Sequence, residues 1–253
     1  MGTLLRGLLR RSGLGLTTTA RRGFRYLAQY YPPFYYQGYI EKLVGFHAIL
    51  RSADELSLVG DVVECGVGRG LTFYMLGHFL SRRRSDRHLY GFDSFAGFPA
   101  PSAADISSRN PQQGDLWSDT SIRHVADHFR RGELADYFAA HVHFVPGFLA
   151  DTLPKAYQPR TIALLNLDVD LYESYRDCLQ HLGPRVTGVI VYDEYQSSKW
   201  PGATRAVNEQ LPLIGHRLFY SAVMERFLSV PAHAMTGPFV QQLTDRLNLR
   251  SVQ

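Results

Sequence analysis

The sequence predicts an α/β fold: a doubly wound, mostly parallel sheet with an antiparallel hairpin near its C-terminus. Three observations carry this. Short aliphatic runs alternate with helical patterns, the arrangement of repeated strand–helix–strand units. The first run, Asp61-Val-Val-Glu-Cys65, enters a glycine-rich turn (Gly66, Gly68, Gly70) that opens a helix. Two later runs end in acids, at Asp168 and Asp170 and again at Asp193-Glu194. An open parallel sheet binds its ligands at such strand ends.

Length and composition set the frame. At 253 residues, 45% hydrophobic and 20% charged, the chain can bury the core of one large α/β domain. Six arginines fall within residues 1–25 and no acid precedes Glu41, so the rest carries 21 basic against 23 acidic residues. That balance excludes a nucleic-acid-binding face. Residues 1–25 read as a basic extension, with the Arg, Ser, Thr and Leu bias of a transit peptide or of a plain loose tail. No apolar run reaches the roughly 18 residues of a spanning helix. Cys65 and Cys178 lack metal-type spacing and read as core residues of a reducing compartment. A cytoplasmic location is expected, with organellar targeting left open by the N-terminal arginines.

Residues 26–253 read as one domain, with an aromatic arm at 26–56. Residues 26–40 hold six tyrosines around Pro32-Pro33, which forbids a continuous helix and suits either a lid or a packing arm. Ile40–Leu56 follows as an amphipathic helix, with His47 on its apolar face as a core residue. After the glycine turn, Leu71–Arg82 is a helix, and His88–Asp93 is a second strand ending in an acid. Pro99–Leu116 is a polar loop of the kind that serves as a lid. Ser118–Ser121 caps a helix over Ile122–Arg131, and Trp117 either faces a ligand or anchors the loop. A third strand starts at His141, whose histidines face solvent; a fourth is Thr161–Leu167. A helix over Glu173–Leu182, the strand Thr187–Tyr192 and a helix over Ala203–Gln210 come next. The runs at His216–Ala222 and Arg226–Val230 form the hairpin, placed at the sheet edge.

The motifs imply chemistry. The spacing Gly66-x-Gly68-x-Gly70 departs from the G-x-G-x-x-G of nicotinamide dehydrogenases, yet it lets backbone approach a bulky cofactor. Asp93 lies 23 residues past Gly70, where doubly wound folds place a ribose-binding carboxylate. Four clustered acids repel one another unless a cation sits among them. Oxygen-only ligands favour Mg²⁺ or Mn²⁺. Such an ion lowers the pKa of a bound hydroxyl, and Asp170 can take the proton.

On these segments the chain resembles the macrocin O-methyltransferase family. The segments are Val63-Glu-Cys-Gly-Val-Gly-Arg-Gly, Phe92-Asp-Ser-Phe-Ala-Gly-Phe-Pro, Pro146-Gly-Phe-Leu-Ala-Asp-Thr-Leu-Pro, Leu167-Asp-Val-Asp-Leu-Tyr-Glu-Ser, Tyr192-Asp-Glu-Tyr and Pro201-Gly-Ala-Thr-Arg-Ala-Val. The resemblance implies a Rossmann-like class I methyltransferase sheet and S-adenosylmethionine- and Mg²⁺-dependent methylation of sugar hydroxyls. It implies that Glu64, Gly66 and Gly68 line the methionine end of the cofactor, with Thr72 near its carboxylate. Asp93 would bind the ribose, Ser94 would lie beside it, and Gly147 and Phe148 would lie near the adenine. Asp168, Asp193 and Glu194 would hold the metal, and Asp170 would be the general base. Two departures stand out: Glu194 replaces a usual Asp, and Val169 replaces a frequent Gly and is expected to stay clear of the chemistry.

The expected acceptor is a small glycosylated molecule, with a catechol as the alternative, and the resemblance implies a dimer or larger assembly. A metal-dependent hydrolase is the rival of another class, but it leaves the glycine turn and Asp93 without a role. A non-catalytic cofactor-binding protein has no use for the acids beyond capping strands.

Overall fold

The computed structural model describes residues 36–155 and 161–252, with side chains from Ile40 onward. The basic extension at 1–25 and most of the tyrosine-rich stretch lie outside the described residues. Eight strands form one sheet in the order β3-β2-β1-β4-β5-β7-β6-β8. The parallel half comprises β1 (Asp61–Cys65), β2 (Leu89–Asp93), β3 (Val142–Pro146), β4 (Ile162–Leu167) and β5 (Val186–Tyr192). Every residue of β4 is buried, as expected of a strand covered on both faces.

Two apolar layers cover those faces. One joins Phe46, Leu50, Phe73, Leu76, Phe129 and Leu243, from α1 (Tyr36–Glu55), α2 (Leu71–Arg82), α3 (Ile122–Arg131) and α8 (Pro238–Leu247). The other joins Tyr175, Leu179, Ala206 and Val207, from α6 (Tyr172–His181) and α7 (Pro201–Gln210), to the opposite face. Cys65 and Cys178 are free thiols inside this second layer, as their apolar surroundings predicted. His47 packs edge-on against Phe79, and burial pushes its imidazole down to about 4, so it is a neutral core residue.

The register sets the site. Cys65 pairs with Phe92 and with Leu167, and Leu167 pairs with Tyr192, so the strands end level. The hydrogen-bond ladder then runs one residue further. Gly66 N–H donates to Phe92 O at 2.9 Å, Asp168 N–H to Cys65 O at 3.0 Å, and Asp193 N–H to Leu167 O at 3.0 Å. Gly147 N–H donates to Asp93 O at 2.9 Å. The glycine turn and the acids are therefore held in one row by backbone pairing.

The structure corrects several expectations. The hairpin of β6 (His216–Ser221) and β7 (Arg226–Pro231) forms, but it is not the edge: β7 pairs with β5, and β6 with β8 (Leu249–Ser251). Helix α8 and strand β8 were not foreseen, although Gly237-Pro238 opens that helix and Phe239, Val240, Leu243 and Leu247 mark its buried face. A further helix, α4 (Ala135–His141), absorbs His141, so β3 begins one residue later. His143 is exposed as expected, whereas His141 is half-buried and stacks on Tyr137. The Pro99–Leu116 loop contains a short 3₁₀ turn, Ala103–Asp105. Asp105 is buried and accepts a 2.7 Å hydrogen bond from Tyr172 N–H, so that loop is pinned to the start of α6. Ser121 caps α3 by accepting from His124 N–H, and α5 (Leu149–Thr152) is a single turn.

Candidate active site

A cavity of about 600 Å³ opens at the carboxyl ends of the parallel strands. Ten of the twelve site residues named from sequence line it. Gly66, Gly68, Asp93, Ser94, Gly147 and Phe148 stand on the side of β1, β2 and β3. Asp168, Asp170, Asp193 and Glu194 stand on the side of β4 and β5. Glu64 and Thr72 are buried behind the wall. Glu64 Oε1 accepts from Asn166 Nδ2 at 2.7 Å, while Oε2 has no hydrogen-bond partner among the described residues. Burial pushes the Glu64 carboxyl well above its ordinary range. Val169 also lines the cavity.

The glycines are required by geometry. Gly66 sits at φ +84°, and a Cβ there would overlap the Asp168 carbonyl oxygen. A Cβ on Gly68, at φ +53°, would lie 2.9 Å from Trp117 Cδ1. Asp93 shapes the turn directly: Oδ2 accepts from Gly68 N–H at 2.8 Å and Oδ1 from Phe95 N–H at 2.7 Å. Trp117 is a wall residue that also stacks, with the Arg69 guanidinium 4.6 Å above its ring.

The acids come together as their spacing predicted. Asp168, Asp193 and Glu194 can each offer one oxygen such that all three lie within 4.8 Å of one another. Their counter-charges were not foreseen. Lys42, from α1, donates to Asp168 Oδ2 at 2.8 Å and to Asp193 Oδ1 at 2.7 Å, and its side chain is only 4% exposed. Arg226, opening β7, donates to Asp193 Oδ1 at 3.2 Å. A readable signal for Lys42 existed: it precedes Phe46 and Ile49 at helical spacing on the buried face of α1. Arg226, at the start of a hairpin strand, offered none.

These contacts fix the electrostatics. Burial alone would lower Lys42, but the Asp168 and Asp193 carboxylates outweigh it and hold the ammonium charged. Burial would likewise raise Asp193, yet Lys42 and Arg226 hold its carboxyl well below the usual range. Asp168, which lacks the arginine, is raised by burial and by Asp193 despite the lysine. Asp170 sits past the strand end at φ +59°, and burial with the Asp168 charge pushes it well up. Glu194 is also pushed well up, by burial and then by Asp170; its Oε2 accepts from Tyr175 Oη at 2.6 Å.

Among the described residues, Lys42 and Arg226 are the two cations in ion pairs with these four acids, so carboxylates outnumber the paired cations two to one. The donor chemistry is all oxygen. Both features fit a hard divalent cation held by Asp168, Asp193 and Glu194.

The family model of the macrocin-O-methyltransferases (TylF) matches residues 24–210. The demethyldecarbamoylnovobiocin O-methyltransferase of Streptomyces niveus is 35% identical over 67% of this chain. A tetracenomycin enzyme of Streptomyces olivaceus, an 8-demethyl-8-(2,3-dimethoxy-alpha-L-rhamnosyl)-tetracenomycin-C 4'-O-methyltransferase, is 34% identical over 54% of it. These matches span 65% and 53% of the two relatives' own lengths. Among solved structures, the O-methyltransferase NovP superposes with a TM-score of 0.64 at 28% identity, covering 76% of this chain and 79% of that one. The matched region contains the glycine turn, Asp93 and all four acids of the cavity wall. The chain belongs to the macrocin-O-methyltransferase (TylF) family.

Proposed function

We propose that residues 26–253 act as one S-adenosylmethionine-dependent methyltransferase domain that methylates a sugar hydroxyl on a small glycosylated acceptor. The observation that carries this reading is the level row of Gly66, Asp93, Asp168 and Asp193 along one cavity. It brings a nucleoside-type cradle and an acid cluster to a common wall. The name of the tetracenomycin relative, a rhamnosyl 4'-O-methyltransferase, supports a sugar as acceptor.

In this reading the backbone of Gly66 and Gly68 admits the cofactor closely, and Asp93 presents its carboxylate to the ribose. Phe148 offers an apolar surface for the base, while Gly147, at φ +133°, turns the chain away from it. Trp117, Phe98 and Trp200 add apolar surface to the cavity wall, which would exclude water around the acceptor. A divalent cation, when bound by Asp168, Asp193 and Glu194, supplies acidification of a coordinated hydroxyl. Asp170 accepts the hydroxyl proton, as a carboxylate on the cavity wall two residues past Asp168. Holding the reactants in line contributes on the order of 7–11 kcal/mol to the rate.

The test is a pair of measurements on purified protein. Asp170→Ala should bind S-adenosylhomocysteine as the parent does, by calorimetry, and lose roughly 10²–10⁴-fold in turnover. Excess EDTA should abolish the parent's turnover, and Mg²⁺ or Mn²⁺ should restore it. Full turnover in EDTA would remove the metal from the mechanism, and absence of S-adenosylhomocysteine binding would remove the cofactor.

A further inference from the structure

Lys42 is the feature that neither the motifs nor the proposed chemistry accounts for. Its Nζ lies 2.8 Å from Asp168 Oδ2 and 2.7 Å from Asp193 Oδ1, two of the three carboxylates that can converge on one cation. The ammonium is buried, whereas the two carboxylates remain 33% and 23% exposed toward the cavity. Lys42 therefore shares the cavity wall with the acids, its ammonium covered by the two carboxylates it bridges.

Two constraints follow. A magnesium-type ion sits about 2.0–2.1 Å from each ligand oxygen and demands near-octahedral geometry. On the two oxygens that Lys42 bonds, such an ion and an ammonium would crowd and repel at contact distance. The lysine is also held in place. Helix α1 packs into the core through Leu43, Phe46 and Ile49, and any Cβ on Gly45 would overlap Met224. The helix therefore approaches the hairpin closely and carries Nζ onto the acids.

We infer that Lys42 is an internal competitor for the metal site: its ammonium occupies Asp168 Oδ2 and Asp193 Oδ1, and a divalent ion that takes either oxygen displaces it from there. The inference rests on the metal reading of the acid cluster. In this arrangement Lys42 is a positioning residue. It keeps the carboxylates apart from one another's charge when no ion is bound, and it sets the ion concentration at which the site fills.

The experiment is a titration of free Mn²⁺ by electron paramagnetic resonance, on the parent, Lys42→Gln and Lys42→Arg. Removing a buried positive charge beside the ligands should tighten Mn²⁺ binding by on the order of tenfold or more in Lys42→Gln. Lys42→Arg, which keeps the charge, should bind no more tightly than the parent. Equal or weaker binding by Lys42→Gln overturns the inference and leaves the metal reading intact. Failure of all three proteins to bind Mn²⁺ overturns both. If Lys42→Gln does not fold, a crystal structure of the parent with Mn²⁺ decides. Withdrawal of Nζ from either carboxylate supports competition, and retention of both contacts beside a bound ion overturns it.

Discussion

Gly66 shows how tightly single residues are specified here. Its φ of +84° disfavours any side chain, and a Cβ would meet the backbone of Asp168, which cannot yield as a flexible side chain would. Gly66→Ala should therefore cost about 1–3 kcal/mol of stability and also weaken S-adenosylhomocysteine binding. Thermal melting and calorimetry would check the two effects, and parental values in both would show that the turn has room to spare. The residues legible in the sequence share one property: they stand at a strand end where the aliphatic run stops. Asp168 and Asp193 directly follow β4 and β5, and Asp93 is the last residue of β2. Lys42 was legible only as a lysine on a buried helix face; its pairing with Asp168, 126 residues away, and that of Arg226 with Asp193, 33 residues away, were not, because no local pattern encodes an ion pair across such distances. Glu64 and Thr72 lie near the right strand end, yet they sit behind the wall instead of on it.

Among the elements, α1 depends on the far end of the described chain. Leu243 of α8 is fully buried in the layer that α1 completes, and Arg246 donates to Ser52 Oγ at 2.8 Å and to Glu55 Oε2 at 2.6 Å. Leu243→Ala should destabilise the protein by about 2–5 kcal/mol in urea denaturation. A loss below about 1 kcal/mol would mean that α1 holds its place without α8. Strands β4 and β5 were readable because burial on both faces favours long aliphatic runs, and each run stops at an acid. The strand β8 was not, since its three residues carry only a half-buried leucine and two exposed polar side chains. Helix α4 was hidden for a similar reason: none of its residues is fully buried, so no apolar stripe marks it.

For the molecule as a whole, acid sensitivity follows from its buried groups, which pull in opposite directions. Burial holds His47, His78 and His216 down to about 4, so the fold keeps them neutral while the unfolded chain protonates them near 6.5. Each contributes stability that is fully present above about pH 6.5 and is lost as the pH falls toward 4. Glu64, Asp170 and Glu194, held up by burial, act in the opposite sense, so a differential measurement is the clean one. His78 is buried and neither ring nitrogen has a hydrogen-bond partner among the described residues. Relative to the parent, His78→Phe should gain about 2–3 kcal/mol between pH 6.5 and pH 4, read from chemical denaturation at each pH. A difference that does not change with pH would show that His78 protonates in the fold as readily as in the unfolded chain.

The two cations of the acid cluster come from outside the five parallel strands: Lys42 from the helix before them and Arg226 from the hairpin after them. The parallel half alone would retain the glycine turn and Asp93 but carry its acids uncompensated. Descent should therefore treat the cradle and the charge cluster as separate heritable units. Within the second, loss of Lys42 leaves acids that a bound cation can still balance, whereas loss of both Asp168 and Asp193 strands a buried ammonium.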